Sequence, residues 1–490
     1  MKFCLVGPCR IGMVISVVLA SSICISAQDN ISYSSSDPTN SSNDGKNTRL
    51  DRVDAELDAA LSAHLPPSRG PIELPIDLPT VLKLSGTDPL EIQLATERVN
   101  EARAHTLESD FKFLPRLEPQ FNNVWHHGEV QSTTGNFSQA NKQSALEGVA
   151  LRGNWAFGEL IYSSLAARKR QLASQEALNA VSDESKIVAV NSFFNLVLAR
   201  SEQAIVEDRL KQADETVRLA DTMMKRGAGL LSEVKRAEAA RAEVQQRLAS
   251  AKEQVRFASL GLTQALHIDP LVTLVPQQQP QDVINLVKKD EITELVSDAM
   301  IRRPELAEAR AQWGALDKER KAAIIGPLIP TIHTDVFAGA FGRHPGTAVH
   351  AQDYGIGIYW AIGPGGIGDI SRRRIAESRQ KQESIQYGVV ADQVVNEVVQ
   401  NQTHVHTSRE QIELAKQEVA AAEEALKLSQ ERLKNGSALT IEVLAAEDQL
   451  FSAKSRAVLG INEFNKAQYG LLRSIGGFRG TDTVPADSNQ

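Results

Sequence analysis

The chain has 490 residues, a formal net charge of −8, 42% hydrophobic residues and only 5% aromatic residues. A composition dominated by Ala, Leu, Val and charged residues favours long helices over a thick globular core with large buried aromatics. The acidic charge and the absence of a Lys/Arg-rich run exclude nucleic acid as a partner, because phosphate neutralisation needs clustered cations.

Residues 1–27 are predicted to be an export signal peptide, with a charged start, a short apolar core and small residues before a cleavage site at Ala27. The apolar core of about ten residues is too short for a membrane-spanning helix, which needs about 20, so a membrane anchor is the less favoured interpretation. All three cysteines (Cys4, Cys9 and Cys24) lie in this segment, so the mature chain is expected to have no disulfide. Lipidation of Cys24 is disfavoured by Ile23, because that processing needs a small residue there.

Residues 28–73 are rich in Ser, Asn, Asp and Pro, and we expect a disordered lead there. After that lead, proline is absent between Pro119 and Pro270 and again between Pro364 and Pro485. Two stretches of more than a hundred residues therefore lack helix breakers, and each is predicted to hold very long helices.

The two stretches match each other in sequence. Pro89 corresponds to Pro304, and Gly227 corresponds to Gly436 at an offset of 209 residues (436 − 227). Matches in the same order indicate a duplicated unit of about 200 residues. The predicted organisation is a first repeat (74–270), a linker (271–290), a second repeat (291–477) and a flexible tail (478–490).

Each repeat is predicted to end in a pair of long helices. The longer ones, from Leu160 to about Lys225 and from Ile370 to about Lys434, would each extend roughly 100 Å at 1.5 Å per residue. The helices that follow carry small apolar residues in steps of three and four from Val234 and from Val443, interrupted in the first copy by Arg241. Heptads sustained in both copies favour coiled-coil packing over an ordinary helical bundle.

Between the helices, each repeat is predicted to contain two strands with alternating apolar and polar residues, at about 117–127, 146–157, 331–341 and 353–362. This length and this period of two are typical of membrane-spanning barrel strands, and a small soluble sheet is the alternative. Trp125, Trp155 and Trp360 fall on these segments and are predicted to form a membrane girdle. Four strands cannot close a barrel, and open edges are not tolerated in lipid, so other copies must complete the wall.

Several segments of the sequence resemble one family. They are the helix entry Arg302–Leu306, the strand start Leu114–Leu117, the Trp155–Gly158 corner and, above all, the Arg432–Glu447 turn between two helices. Over about residues 76–477 the chain resembles the TolC-like outer membrane efflux proteins, also called outer membrane factors.

The resemblance implies a fold of the α+β membrane class, in which a homotrimer combines a twelve-stranded barrel with a long coiled-coil tunnel. It implies a passive exit duct in the outer membrane that is fed by a periplasmic adaptor and an inner-membrane pump, for efflux or type I secretion. The adaptor-docking tip would comprise Gly227, Gly229, Leu230, Gly436, Ser437 and Leu439.

The resemblance also places a gate at the tip. Glu442, and with it Glu233, would form an acidic ring that favours cations. The alternative for Glu442 is a solvated carboxylate that stabilises a helix N-terminus. Met223 stands where the second copy has Arg432, so the first tip is expected to lack a pairing arginine.

No catalytic constellation, cofactor motif or metal-ligand spacing is evident, and no enzyme activity is expected. His404 and His406 are two residues apart on a helix, which points them away from each other. The rival hypothesis to the duct is a soluble periplasmic coiled-coil adaptor or scaffold protein.

Overall fold

The computed structural model describes residues 72–87, 89–227, 229–278, 282–287, 291–360, 363 and 367–479. The predicted signal peptide, nearly all of the predicted lead and the tail beyond residue 479 lie outside the described residues. The helices are α1 (Leu78–Thr87), α2 (Leu90–Phe111), α3 (Phe157–Lys225), α4 (Leu231–Ala265), α5 (Ile292–Arg302), α6 (Pro304–Ile325), α7 (Ile367–Lys434) and α8 (Thr440–Ser474). The strands are β1 (Ile72–Ile76), β2 (Arg116–Gln131), β3 (Phe137–Ala156), β4 (Val272–Pro276), β5 (Thr331–Gly342) and β6 (Val349–Tyr359).

The four longer strands form one antiparallel sheet in the order β2-β3-β5-β6. Two strands come from each repeat, and β2 and β6 are the open edges of this single subunit. The hairpin of β2 and β3 is longer than predicted, with β2 reaching Gln131 and β3 starting at Phe137. Its outer part carries polar residues on both faces, so hydrophobic alternation could not indicate it.

Three further details differ from the sequence prediction. The last strand, predicted at about 353–362, extends from Val349 to Tyr359 instead. Phe157 was predicted to end a strand, and it is the first residue of α3 instead. The predicted linker contains β4, which pairs in parallel with β1. A strand of five residues whose partner is about 200 positions away has no local pattern that would reveal it.

The helices divide into a layer near the sheet and two hairpins away from it. The near layer has the order α2-α3-α6-α7. Farther from the sheet, α3 pairs with α4, α7 pairs with α8, and α3 also packs against α8. Because α3 has 69 residues and α7 has 68, each extends about 100 Å and takes part in both levels.

The predicted heptad residues face the helix partners. Val234, Ala237 and Val244 are buried on α4, and Val443, Leu450 and Phe464 are buried on α8. Arg241, which interrupts the seam, is exposed and forms an ion pair with Asp214 of α3 at 2.6 Å. Apart from Phe464, these buried seam residues are small or medium apolar side chains, which permit a close approach of the helices.

Polar side chains tie the linker and the second repeat together. On α8, Gln468 is fully buried, and its Oε1 accepts hydrogen bonds from the backbone N–H groups of Leu286 (3.1 Å) and Val287 (3.2 Å). One turn earlier, Asn465 accepts a bond from the Ile284 N–H at 2.9 Å. This part of the linker has no sheet partner, so the side-chain amides of Gln468 and Asn465 accept the backbone hydrogen bonds that a neighbouring strand would otherwise accept.

The arginine of the predicted helix entry is also a structural residue. Arg303 is 3% exposed and binds Glu305 (3.0 Å) and Glu397 (2.8 Å), while Arg473 of α8 binds the same Glu397 at 3.3 Å. This network joins the start of α6 to α7 and α8.

Candidate functional site

One face of the four-stranded sheet is apolar near the helices, and farther out the same face carries Glu147 opposite Phe121. In the observed register, Leu117, Leu151, Val336 and Tyr354 lie opposite one another across all four strands. Two residues along β5, Thr334 lies beside Ile356, which is 78% exposed. The alternation predicted for each segment therefore falls on one common side of the sheet.

Tryptophans lie at both ends of this apolar face. Trp155 pairs with Ile332 near the helices, Trp360 directly follows β6, and Trp125 pairs with Gln143 farther out. Trp155 and Gln143 are 12 residues apart on β3 (155 − 143). At about 3.3 Å per residue and a strand tilt of about 40°, the two levels are separated by about 30 Å along a barrel axis.

The opposite face of the sheet is polar. Arg152 donates to Glu118 on β2 (2.6 Å) and lies 3.5 Å from Asp335 on β5, so one cation links three strands. Phe337 lies on this face and is 5% exposed. A Cβ on Gly148 or Gly339 would come within 2.9 Å or 2.7 Å of its ring, so the ring lies flat against a glycine pair.

The two helix hairpins end in matching turns. Gly227 and Gly436 adopt positive φ angles of 76° and 70° and donate their N–H to Met224 and Leu433. At the second tip, the Ser437 N–H also bonds to the Arg432 carbonyl, which completes a Schellman motif with glycine at C′. Only glycine adopts this conformation without steric cost, which explains why both copies carry it.

Exposed leucines follow both turns. Leu230 and Leu439 are the N-cap residues of α4 and α8, and they are 67% and 57% exposed. Gly229 is packed closely, because a Cβ there would lie 3.0 Å from the Met224 nitrogen. All six residues predicted for the tip thus lie in the two turns or at the helix starts, and both turns present exposed apolar side chains.

The predicted gate residues differ in their contacts. Glu442 accepts from the Leu439 N–H at 3.5 Å and forms an ion pair with Arg432 at 3.3 Å, so it caps its own helix and binds within its own hairpin. Glu233 occupies the equivalent first turn of α4. Met223 stands at the position equivalent to Arg432 and forms no such ion pair. It is buried and packs toward the other tip, where its Cε would lie 3.9 Å from a Cβ placed on Gly436.

A buried ion cluster joins the two repeats above the tips. Glu447 of α8 is 0% exposed; it accepts from Thr216 of α3 at 2.5 Å and from Arg209, which is 5% exposed. The other guanidinium nitrogen of Arg209 donates to Asp448 at 3.1 Å. Burial lowers the pKa of Arg209, and the Asp448 carboxylate opposes that shift.

The sequence analysis did not predict this cluster, although Glu238 and Glu447 are equivalent positions of the two repeats at the offset of 209 residues (447 − 238). The cation that neutralises Glu447 comes from a helix of the other repeat, more than two hundred residues away. A charged residue beside an apolar seam usually faces solvent, so the pattern alone gave no reason to bury it.

Among the described residues, no group of three or more His, Cys, Asp and Glu side chains is placed to hold a metal ion. None of the helices within those same ranges is both long enough and apolar enough to cross a membrane.

Comparisons with known proteins agree with this geometry. Residues 295–477 match the family model described as outer membrane efflux protein. Over this segment, which lies in the second repeat, the chain is similar to outer membrane efflux proteins. Members of the family are similar to it well beyond that segment, as the following matches show.

The chain is 25% identical over 352 residues to "Outer membrane efflux protein BepC" of Brucella suis biovar 1 (strain 1330), covering 70% of this chain and 72% of that protein. It is 25% identical over 401 residues to "Cation efflux system protein CusC" of Escherichia coli (strain K12), covering 79% and 83%. Its fold is similar to the outer-membrane channel OprN, with a TM-score of 0.73, 18% identity and coverage of 82% and 90%. A CusC structure gives a TM-score of 0.71, 19% identity and coverage of 84% and 95%.

Proposed function

We propose that this chain is the outer-membrane exit duct of a tripartite efflux or type I secretion system. The observation that carries the proposal is the register of the sheet, which places apolar residues of all four strands side by side on one face near the helices. An apolar band about 25 Å tall with aromatic girdles at both edges is typical of outer-membrane barrels. The estimated 30 Å between the levels of Trp155 and Trp125 matches that band plus its girdles.

The open edges support a trimer. β2 and β6 each have an unpaired edge in one subunit, and unpaired backbone groups cost several kcal/mol each in lipid. Three copies provide 3 × 4 strands, which close into a twelve-stranded barrel with β6 of one subunit beside β2 of the next. The long hairpins then extend about 100 Å into the periplasm as the wall of a tunnel.

In this arrangement the tips meet the periplasmic adaptor, and the inner-membrane pump supplies the substrate. Leu230 and Leu439 offer exposed apolar anchors of the kind that protein interfaces bury. Glu442, together with Glu233, would face the narrow end as an acidic ring. Replacing Glu442 by Gln is then expected to reduce single-channel cation preference, and unchanged selectivity would leave Glu442 as a helix-capping residue only.

The membrane assignment is tested with single-tryptophan variants reconstituted in vesicles of brominated lipid. Trp125, Trp155 and Trp360 are expected to be quenched, whereas Trp313, which lies on α6, serves as the matched control and keeps its fluorescence. If the chain is instead a soluble periplasmic adaptor, none of the tryptophans is quenched and the protein is found as a monomer in the periplasmic fraction. A heat-labile trimer on a gel is the second expected result.

A further inference from the structure

The near layer of helices, α2-α3-α6-α7, has an inner and an outer face. The inner face lines a cavity of about 1130 Å³ together with Ala156 and Thr331, which lie on the polar face of the sheet. On α3 the lining residues recur in steps of four and three: Glu159, Ser163, Ala166 and Arg170. Successive helix residues are about 100° apart, so a residue that is two positions from two lining residues lies on the outer face.

The outer face of α3 is apolar where the helix leaves the sheet. Ile161, Leu165 and Leu172 each lie two positions from two cavity-lining residues, and all three are exposed. This apolar stripe starts six residues after Trp155 (161 − 155), so it continues the apolar face of the sheet. Because α3 lies between α2 and α6, a neighbouring subunit added at an edge of the near layer does not cover the stripe.

Three cations surround one carboxylate on α6. Asp317 lies 2.8 Å from Lys321, 3.3 Å from Arg320 and 3.8 Å from Lys318. The Nζ atoms of both lysines face the same carboxylate oxygen, Oδ2. One carboxylate neutralises one of the three cations, so two positive charges at this cluster are not compensated by it.

This cation cluster opens to the outer face of the layer. Lys321 is two positions from the cavity-lining residues Glu319 and Ala323, so it lies on the opposite side of α6. Lys321 is also four residues, or about 6 Å, before the end of α6 at Ile325. The cluster therefore lies just below the sheet, beside the level at which the apolar stripe of α3 begins.

Three further cations flank the cluster. The aliphatic chain of Lys169 lies over Gly314 of α6, one turn before Asp317. Arg374 is two positions from the cavity-lining residues of α7 on either side, and Lys381 lies two turns farther along the same outer side. Within the part of the chain that the structure describes, none of these three cations forms an ion pair.

The neighbouring carboxylates on this side of the layer are already paired. Glu377 of α7 binds Arg373 at 2.8 Å, and Asp110 of α2 binds Arg168 at 3.3 Å. These two pairs cancel, so they leave the excess positive charge of the cluster and its flanking cations unchanged. A local positive excess contrasts with the whole chain, whose formal net charge is −8.

The first repeat shows that the fold does not require the cluster. At the offset between Pro89 and Pro304 (304 − 89 = 215), Asp317, Lys318, Arg320 and Lys321 correspond to Ala102, Arg103, His105 and Thr106 of α2. The helix α2 packs in the near layer as α6 does, without a central carboxylate and with a single arginine. The three cations on α6 therefore need an explanation other than helix packing.

We propose that the outer face of α3, α6 and α7 binds the phosphate head group of an anionic phospholipid in the membrane leaflet that faces the periplasm. The inference rests on the proposed outer-membrane duct and assigns it a lipid ligand. The apolar stripe on α3 contacts the acyl chains, and the ammonium groups of Lys318 and Lys321 bind the phosphate. Basic side chains placed beside an apolar membrane surface extend to charged head groups in this way.

The test is a lipid titration of the purified protein in non-ionic detergent, with bound lipid counted by native mass spectrometry. We expect the protein to bind phosphatidylglycerol more tightly than phosphatidylcholine. Lys318→Gln with Lys321→Gln removes both ammonium groups and leaves Arg320 to neutralise Asp317. Each cation near an anionic lipid surface strengthens binding about fivefold, so phosphatidylglycerol is expected to bind about 25-fold more weakly, with little change for phosphatidylcholine.

Two control variants separate the site from total charge and from misfolding. Arg372→Gln with Arg379→Gln removes the same charge from the cavity side of α7 and is expected to leave phosphatidylglycerol binding unchanged. Lys318→Arg with Lys321→Arg keeps the charge and is expected to keep the affinity. An equal loss in the two glutamine variants, or a loss in the arginine variant, would overturn the proposed site.

The outcome for the lipid site is distinguishable from the outcome for the duct. A heat-labile trimer whose membrane tryptophans are quenched by brominated lipid, but which does not prefer phosphatidylglycerol, overturns the lipid site and leaves the duct intact. A soluble monomer that binds neither lipid overturns the duct itself.

Discussion

Replacing Glu447 by Ala tests the buried ion cluster, which joins the two repeats. Glu447 is 0% exposed and accepts from Arg209 and Thr216, so the substitution leaves a buried guanidinium without its main partner. Breaking a buried pair in this way costs about 3–5 kcal/mol. Because Arg209 keeps Asp448 at 3.1 Å, we expect the lower end, about 3 kcal/mol per subunit.

The duplication provides the matched control. Glu238 is the equivalent residue on α4, half-exposed and 2.8 Å from Lys235 one turn away, so Glu238→Ala is expected to change the free energy of unfolding by less than about 0.5 kcal/mol. A third variant, Arg209→Met with Glu447→Leu, replaces the pair by apolar side chains of similar volume and is expected to recover most of the loss.

The measurement is denaturant unfolding of the detergent-solubilised protein, followed by helical circular dichroism at fixed protein concentration. Equal stability of the Glu447→Ala and Glu238→Ala variants would refute the reasoning. If the Arg209→Met, Glu447→Leu variant is as unstable as Glu447→Ala alone, the loss of stability comes from packing and not from an unpaired charge.

Three further predictions concern other contacts. The hydrogen bond from Ser164 (2.6 Å) lowers the pKa of Asp110 below its ordinary 3.8, so this carboxylate stabilises the fold above about pH 4 and loses that effect as the pH falls through its folded-state pKa. When the free energy of unfolding is measured against pH, Asp110→Asn is expected to reduce the loss of stability at acid pH, and an unchanged loss would contradict this prediction. Gln468→Leu leaves the buried N–H groups of Leu286 and Val287 without their acceptor and is expected to lower the free energy of unfolding by about 1–3 kcal/mol, measured with denaturant. Gln468→Glu keeps an acceptor at this position and is expected to retain more of that stability. Gly148→Ala places a Cβ 2.5 Å from the Ala338 carbonyl and against the Phe337 ring, so we expect a loss of about 1–3 kcal/mol in denaturant unfolding. Gly355→Ala, whose nearest contact would be an ordinary 3.6 Å, is the control, and equal stability of the two variants would contradict the close packing at Gly148.

The sequence alone determined the type of each long element and the approximate ends of the two longest helices. The long helices begin three residues earlier than predicted, at Phe157 and Ile367, and both end where expected. Their seams and the apolar face of each strand follow from local periodicity, which is a property of neighbouring residues and needs no tertiary information. The prediction of an outer-membrane exit duct came from the family resemblance of the Arg432–Glu447 turn, and the comparisons confirm it.

Only the tertiary structure decided which distant groups meet. The parallel pairing of β1 with β4, the amides of α8 on the linker and the burial of Glu447 against Arg209 each join segments that lie more than 150 residues apart. No periodic signal marks such contacts, because whether a charge is buried depends on the helix that packs over it. The duplicated sequence made the two helix hairpins look alike, and the fold made them different by burying one carboxylate, Glu447, beside an arginine of the other repeat and leaving the other, Glu238, half-exposed beside a lysine of its own helix.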